Sequence, residues 1–536
     1  MRSVKWLVFL LLLGQSAANI TADAFEPIPT LTAKDISGNT FSVEADYINY
    51  LGENHYVKTS GNVVVINGDV RLRANSATVN FHSQQLLITD GFVFNRSQQQ
   101  IYGTELDYDY SRREAQGSNV GLTLMGNRIK GRTMLVREDV IVIEDASQTT
   151  CPDEHNPCNH ITSRRMTIYP EWGNVVNDHA VIYFFFLPVM YVPNSVSDLN
   201  GGREEMYSSI PRLGYNPVEG NYIKAGWSFY QNEKLNGTLD LHYLSNLGLR
   251  YGFTDNYKLD QSNRGQLRLH YLTGLGGRTS YGWQHRLLLG VPRRDRGQII
   301  DDFFRGILPP SKDHYPEIVL DLVNREMVGY QWLSYRPKIT LALPRYELLD
   351  TGLLYTLSGY AANILEEDVE VVSRIGDVQF EGGNRAYLQR NFEGNVYRDF
   401  GLGSWGSLTP GALYSSSTYF DGTYLSGLWT RLIYYADYTK NWSRLNFTAG
   451  YKYTPSERGF SPFNAETFYA GTSEENNFSV GVRVLDNLKL KYTQYYSITN
   501  HKVRDRVYGG EFKLHCWNAS VNWSEYYSQF TFGISM

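Results

Sequence analysis

Two patterns of apolar and polar positions divide the chain. From about residue 41, short alternating segments repeat loosely at intervals of roughly thirty residues. Ala45-Asp46-Tyr47-Ile48-Asn49-Tyr50 is echoed by Ala77-Thr78-Val79-Asn80-Phe81 and by Leu106-Asp107-Tyr108-Asp109-Tyr110. A turn and a second strand follow each copy, at residues 61–66, 91–94 and 118–124, and weaker copies occur at 139–143 and 178–183. Asn67-Gly68 is a strong hairpin signal. Short strands at regular spacing predict an all-β stack or jelly roll. The alternation places Val63, Val65, Val79, Phe81, Phe92, Phe94, Leu106, Leu122 and Leu124 on one apolar inner face. A dry core and an open groove for acyl chains both satisfy this pattern.

The repeat ends in the apolar run 180–193, Ala-Val-Ile-Tyr-Phe-Phe-Phe-Leu-Pro-Val-Met-Tyr-Val-Pro. It is shorter than the ~20 residues a membrane helix needs, and Pro188 would break a helix. Its position predicts a buried joint between two β modules. Residues 194–205 are polar and predict a loop. Beyond them the alternation changes character. Thr238, Asp240 and His242 alternate with Leu239, Leu241 and Tyr243, and Gln266, Arg268 and His270 with Leu267, Leu269 and Tyr271. Lys489 and Lys491 alternate with Leu488, Leu490 and Tyr492, and Asn518, Ser520 and Asn522 with Ala519, Val521 and Trp523. A period of two sustained this far, with so many Tyr near strand ends, is the lipid-out, polar-in signature of a transmembrane barrel. About 16 to 20 strands are expected, with a long loop at 290–315. The predicted organisation is a signal peptide at 1–24, a β jelly roll at 25–180, the joint at 181–205 and an antiparallel β-barrel at 206–536.

Composition agrees with this division. Charged residues make up only 20% and aromatics 14%, with 41 Tyr, and the mean hydropathy is −0.37. Polar lumen-facing residues dilute lipid-facing ones in a barrel. A net charge of −5 gives no sign of nucleic-acid binding. Arg2 and Lys5, the apolar stretch 6–13 and the small residues around Ala18 and Ala24 read as a secretory signal peptide. The remaining sequence offers no apolar helical span. A chain that crosses the membrane without one must do so as a closed barrel, so the expected location is the outer membrane of a Gram-negative-type cell. Export permits disulfides. Cys151, Cys158 and Cys516 allow one bridge, and the Cys151–Cys158 spacing suits a local loop. Zinc binding by Cys151, His155, Cys158 and His160 has irregular spacing, so no metal is expected. There is no Gly-x-Ser-x-Gly elbow, His-Glu-x-x-His or phosphate-binding glycine loop. No enzyme activity and no cofactor are expected.

Three features together resemble a known family. The thirty-residue repeat resembles the OstA-like domain of lipopolysaccharide (LPS) transport proteins. Thr149-Thr150-Cys151-Pro152 and Pro188-Val189-Met190-Tyr191-Val192-Pro193, followed by a strand-rich remainder, resemble the LptD family of LPS-assembly proteins. The resemblance is specific over about residues 41–257 and rests on barrel character beyond. It implies a periplasmic jelly roll with an open apolar cleft, joined to a barrel that opens laterally between its first and last strands. It implies LPS as cargo, an LptA-like periplasmic bridge docking by strand addition near residues 41–50, an LptE-like lipoprotein plug, and insertion by the outer-membrane assembly machinery. It implies a softened gate at Pro211 and, where the family has a second proline, at Gly226. It also implies a bridge from jelly roll to late barrel, Cys151 to Cys516. The family's barrel of about two dozen strands would leave almost no residues for loops, since spanning strands take ~9–11 residues each. A smaller barrel is therefore expected here.

Overall fold

The computed structural model describes residues 30–535 except 35–39, 52–55, 68–69, 81–82, 84, 97–98, 110–111, 113, 125–126, 138–139, 152–156, 199–210, 233, 275–276, 295–297, 300–301, 303–312, 329–330, 368–373, 376–377, 380–383, 468–472 and 515–516. The signal-peptide segment 1–24 and Phe81 therefore lie outside the described residues. No helix among the described residues is long and apolar enough to cross a membrane.

The N-terminal module is one 15-stranded antiparallel sheet, from the edge strand Thr30–Lys34 to the edge strand Leu187–Asp198. The sheet is creased. Its long strands bend at their midpoints, and the ladder skips there, as between Ser60 and Val63 and between Ser118 and Val120. The residues at the crease adopt left-handed backbone: Gly61 (φ 75°), Asn62 (φ 47°), Asn119 (φ 47°), Asp145 (φ 50°) and His179 (φ 52°). Asn, Asp and His are the side chains that best tolerate this region. At Gly61 a Cβ would also lie 2.3 Å from the Asp46 carboxylate. Polar side chains line the outside of the crease. Asn62 Nδ2 donates to Asp46 (3.0 Å), Asn119 Nδ2 to Thr104 Oγ1 (3.2 Å) and Arg132 Nε to Asp145 (2.7 Å).

Folding along this crease turns the sheet into two layers with one apolar interior. The period of two sends every second side chain inward. Val57, Leu72, Ile88, Leu122, Ile143, Met166 and Ile168 meet there, each less than 5% exposed. The sheet runs on through Asp198. The apolar run 180–193 is thus the last hairpin of the jelly roll, built from Asn174–Phe184 and Leu187–Asp198. It differs from the buried joint expected there: Phe185, Phe186, Leu187, Val189 and Tyr191 are exposed.

The second module is a closed antiparallel barrel of 18 strands, from Arg212–Asn216 to Gln529–Ser535, each pairing with its neighbours in sequence. Tyr346–Glu347 and Phe400–Gly401 are two-residue extensions beside it. Leu239, Leu241 and Tyr243 point outward and are exposed, while Asp240 and His242 between them are buried on the lumen side. The modules touch where the last jelly-roll strands meet the near ends of the barrel strands. Tyr169 Oη donates to the Gln231 carbonyl (3.3 Å), and Lys258 Nζ reaches the Glu171 carboxylate (3.2 Å) and carbonyl (2.9 Å).

Candidate functional site

The jelly-roll interior holds the residues that the alternation placed on its inner face. Val63, Val79, Phe92, Leu106, Leu122 and Leu124 belong to one buried cluster, with Val65 and Phe94 partly buried against it. The layers are in contact across these residues, with Leu124 fully buried, so they pack as a dry interior rather than standing open as a cleft. The same apolar lining continues toward the barrel through Ile129, Met134, Ile141, Ile143, Met166 and Ile168. These were not singled out from the sequence, although Ile141 and Ile143 alternate within Ile141–Thr149.

The expected docking strand at 41–50 is divided. Thr40–Glu44 is paired on both sides, by Thr30–Lys34 and by Tyr56–Asn67. Tyr47–Leu51 pairs only with Tyr56–Asn67. The free edge therefore passes to Thr30–Lys34 in one layer and Tyr47–Leu51 in the other. Tyr47 and Tyr50 stand exposed on the latter.

The barrel closes on a short seam. Among the described residues, first and last strands meet through Leu213↔Phe532, Gly214↔Thr531 and Tyr215↔Phe530. The first two strands share five such pairs and the last two share seven. Pro211 immediately precedes the first strand and is exposed; lacking an N–H, it gives the strand no donor there. Gly226 keeps its place in the ladder opposite Asp240. The irregularity in that strand falls instead between Ser228 and Tyr230, where Phe229 is exposed.

Neither cysteine pairing weighed from the sequence forms. Cys158 is disulfide-bonded, while Cys151 keeps its thiol and is buried. The Cys151 backbone is held inside the module: its N–H donates to Thr149 Oγ1 (3.0 Å) and its carbonyl accepts from Arg128 (3.0 Å). Cys158 sits beside the last hairpin, its carbonyl accepting from Phe185 N (2.9 Å). The chain's third cysteine, Cys516, lies outside the described residues.

The lumen carries two polar constellations that the sequence did not reveal. Asp240 accepts from Thr254 Oγ1 (2.8 Å) and pairs with His270 Nε2 (2.8 Å), while His270 Nδ1 faces Arg250 (3.3 Å). An Nε2–H tautomer satisfies both contacts: Nε2 donates to Asp240 and Nδ1 accepts from Arg250. Across the barrel, the segment after strand Leu445–Gly459 folds back inside. Phe463 and Ala465 pack against Leu333, Ala362, Ile364, Tyr419 and Trp429. Glu366 accepts from the N–H groups of Asn464 (2.9 Å) and Ala465 (2.8 Å), while Glu466 accepts from Tyr419 Oη (2.6 Å), Gln389 Nε2 (2.7 Å) and Ser461. These contacts depend on partners about 50 to 100 residues away, which no local pattern encodes. Among the described residues, no group of three or more His, Cys, Asp or Glu is placed to hold a metal.

Comparison with known proteins gives partial matches. No protein-family model matches the chain. It is 28% identical over 142 residues to the LPS-assembly protein LptD of Idiomarina loihiensis, covering 25% of this chain and 18% of that protein. It is 26% identical over 165 residues to LptD of Saccharophagus degradans, covering 30% of this chain and 19% of that protein. The matched stretches thus span under a fifth of either relative. Among solved structures, LptH of Pseudomonas aeruginosa, the LptA-homologous periplasmic component of an LPS transport device, is 16% identical with a TM-score of 0.17, over 18% of this chain and 75% of its own. The P pilus usher (PapC) pore is 8% identical with a TM-score of 0.21, over 94% of this chain and 96% of its own. A loop-deletion mutant of Vibrio cholerae OmpT is 11% identical with a TM-score of 0.17, over 60% of this chain and 94% of its own. With TM-scores this low, none of the three likenesses bears on function. The chain is similar in sequence to the LPS-assembly protein LptD over a quarter to a third of its length, and it adopts the architecture which that resemblance implies, a β jelly roll followed by an outer-membrane-type β-barrel.

Proposed function

We propose that this protein is an outer-membrane LPS translocon with its jelly roll in the periplasm. An LptA-like bridge adds a strand to the free edge at Thr30–Lys34 or Tyr47–Leu51. Acyl chains then pass between the two layers along the interior from Val63 to Ile168, the layers parting as lipid enters. The barrel releases the lipid into the outer leaflet by opening between Arg212–Asn216 and Gln529–Ser535. The observation that carries this reading is the short seam, three residue pairs among the described residues against five and seven at the junctions on either side. Pro211 limits its extension. The jelly roll and the sequence likeness to LptD support the same direction.

No bond is made or broken in this scheme, so the chain acts as a transporter and not as an enzyme. Energy for lifting the lipid comes from elsewhere, through the bridge. In this reading the disulfide at Cys158 ties the jelly roll to the barrel. An LptE-like lipoprotein shares the lumen with the segment around Phe463. The outer-membrane assembly machinery inserts the barrel.

A photo-crosslinking residue at Phe94, in living cells, tests the proposal. LPS adducts are expected at Phe94 and not at Thr123, which points away from the interior. Absence of adducts at Phe94, in protein folded in the outer membrane, returns the jelly roll to a closed structural core and favours a porin-like channel.

A further inference from the structure

The last hairpin of the jelly roll presents an apolar surface that the transport scheme does not use. Phe185 and Phe186 form its turn and are 49% and 82% exposed. Leu187, Val189 and Tyr191 follow at every second position on the edge strand, 53%, 56% and 58% exposed. The ladder skips Val189, setting Leu187 opposite Phe184 and Tyr191 opposite Val181, so the exposed apolar side chains stand on both faces of the hairpin. No charged residue occurs from Ala180 to Ser197. A cluster of aromatic and aliphatic side chains this exposed marks a site of contact.

We propose that this hairpin inserts into the proximal lipid leaflet of the membrane that the barrel spans, anchoring the jelly roll to the bilayer surface. Position argues first. The edge strand Leu187–Asp198 packs against barrel strand Gly220–Gln231. Asn194 lines a cavity of about 450 Å³ together with Phe229 and Tyr230 of that strand. Tyr191 is three residues from Asn194, ~10 Å along an extended strand. The patch thus begins beside the barrel wall, whose outward side chains there, Phe229 and Tyr230, are themselves exposed and apolar.

Chemistry selects lipid over a protein partner. Strand addition by another chain needs a row of donors and acceptors. Pro188 and Pro193 remove two donors from this edge, and the ladder is irregular between Ile182 and Tyr183. A protein interface has a polar, charged rim around its apolar centre, whereas this stretch is uncharged throughout. Aromatic-rich, uncharged tips beside a membrane-spanning element match what the bilayer interface selects. The inference rests on the barrel spanning a membrane and not on the identity of the transported lipid.

The test uses the full-length protein with Phe186 replaced by a photoreactive phenylalanine, in phosphatidylethanolamine–phosphatidylglycerol vesicles that contain no LPS. A second variant carries the same residue at Tyr50, also exposed but at the far end of the jelly roll. Phospholipid adducts are expected at position 186 and not at 50. Adducts of position 186 to a second copy of the chain would make the patch a protein interface and overturn the proposal. Adducts at neither position, in a barrel shown to be folded by heat-modifiable migration, would overturn it as well. Because the vesicles lack LPS, either outcome leaves the translocon reading to its own experiment.

Discussion

Leu124 shows how single side chains hold the jelly roll. It is fully buried at the end of a strand whose inward positions change phase at the crease, with Gly117 buried before it and Val120, Leu122 and Leu124 after it. Leu124→Ala is expected to cost about 2–5 kcal/mol, while Thr123→Ala on the outer face stays within about 0.5 kcal/mol. Denaturant midpoints of the jelly-roll transition compare the two. His160 adds a pH dependence. Its ring stacks on Tyr183, with centroids 4.5 Å apart, and burial lowers its pKa from the ordinary value of 6.5. The unfolded chain therefore binds this proton more readily than the folded one. Stability contributed here is present above about pH 6.5 and is lost as pH falls below it. Protection factors in Asn159–Tyr169, corrected for the intrinsic exchange rate at each pH, are expected to fall between pH 7 and 5, and His160→Phe to flatten that fall. At this scale the alternation disclosed which residues face inward, Leu124 among them. It did not disclose Asn62, Asn119, Asp145 and His179 as crease residues, because a change of phase inside a strand, as from Ile141 and Ile143 to Ala146 and Gln148, reads like the end of one strand and the start of another.

Among the elements, the barrel's junctions are unequal, and the proposed release route runs through the shortest of those flanking the first and last strands. Cysteines at Tyr215 and Phe530, which face each other across it, are expected to cross-link and to abolish LPS surface display. Cysteines at Ile223 and Tyr243, opposed across the second and third strands, are expected to leave display unchanged. Surface LPS is read by its accessibility to an outer-leaflet label in cells depending on the variant. Equal export by both cross-linked forms would exclude release through this seam. Pro211, expected to soften the gate, lies immediately before the first strand. Gly226 did not act as its counterpart, because glycine keeps its N–H and the ladder runs through it; the irregularity moved to Phe229.

The whole molecule is a creased sheet standing against a closed barrel whose lumen is partly filled by its own chain. The inward segment is held by an apolar side chain, Phe463, by the buried carboxylate of Glu366 and by the half-buried one of Glu466. Deleting residues 460–467 should convert a non-conducting barrel into one with steady open pores in planar bilayers. An unchanged conductance would mean that other parts of the lumen seal it. The expectation of a barrel smaller than about two dozen strands was met by the 18 strands observed. Chain length alone argued for it, since each spanning strand consumes ~9–11 residues.

Sequence by itself determined the strand character of both modules, the face each strand buries and the need for closure. These follow from a period of two and from backbone groups that must find partners in lipid. Tertiary structure alone decided the strand number, the crease, the three-pair seam, the choice of Cys158 over Cys151 and the segment that enters the lumen. Each depends on which distant residues meet. Alternation reads the same whatever strand lies alongside, so it specifies faces but not neighbours.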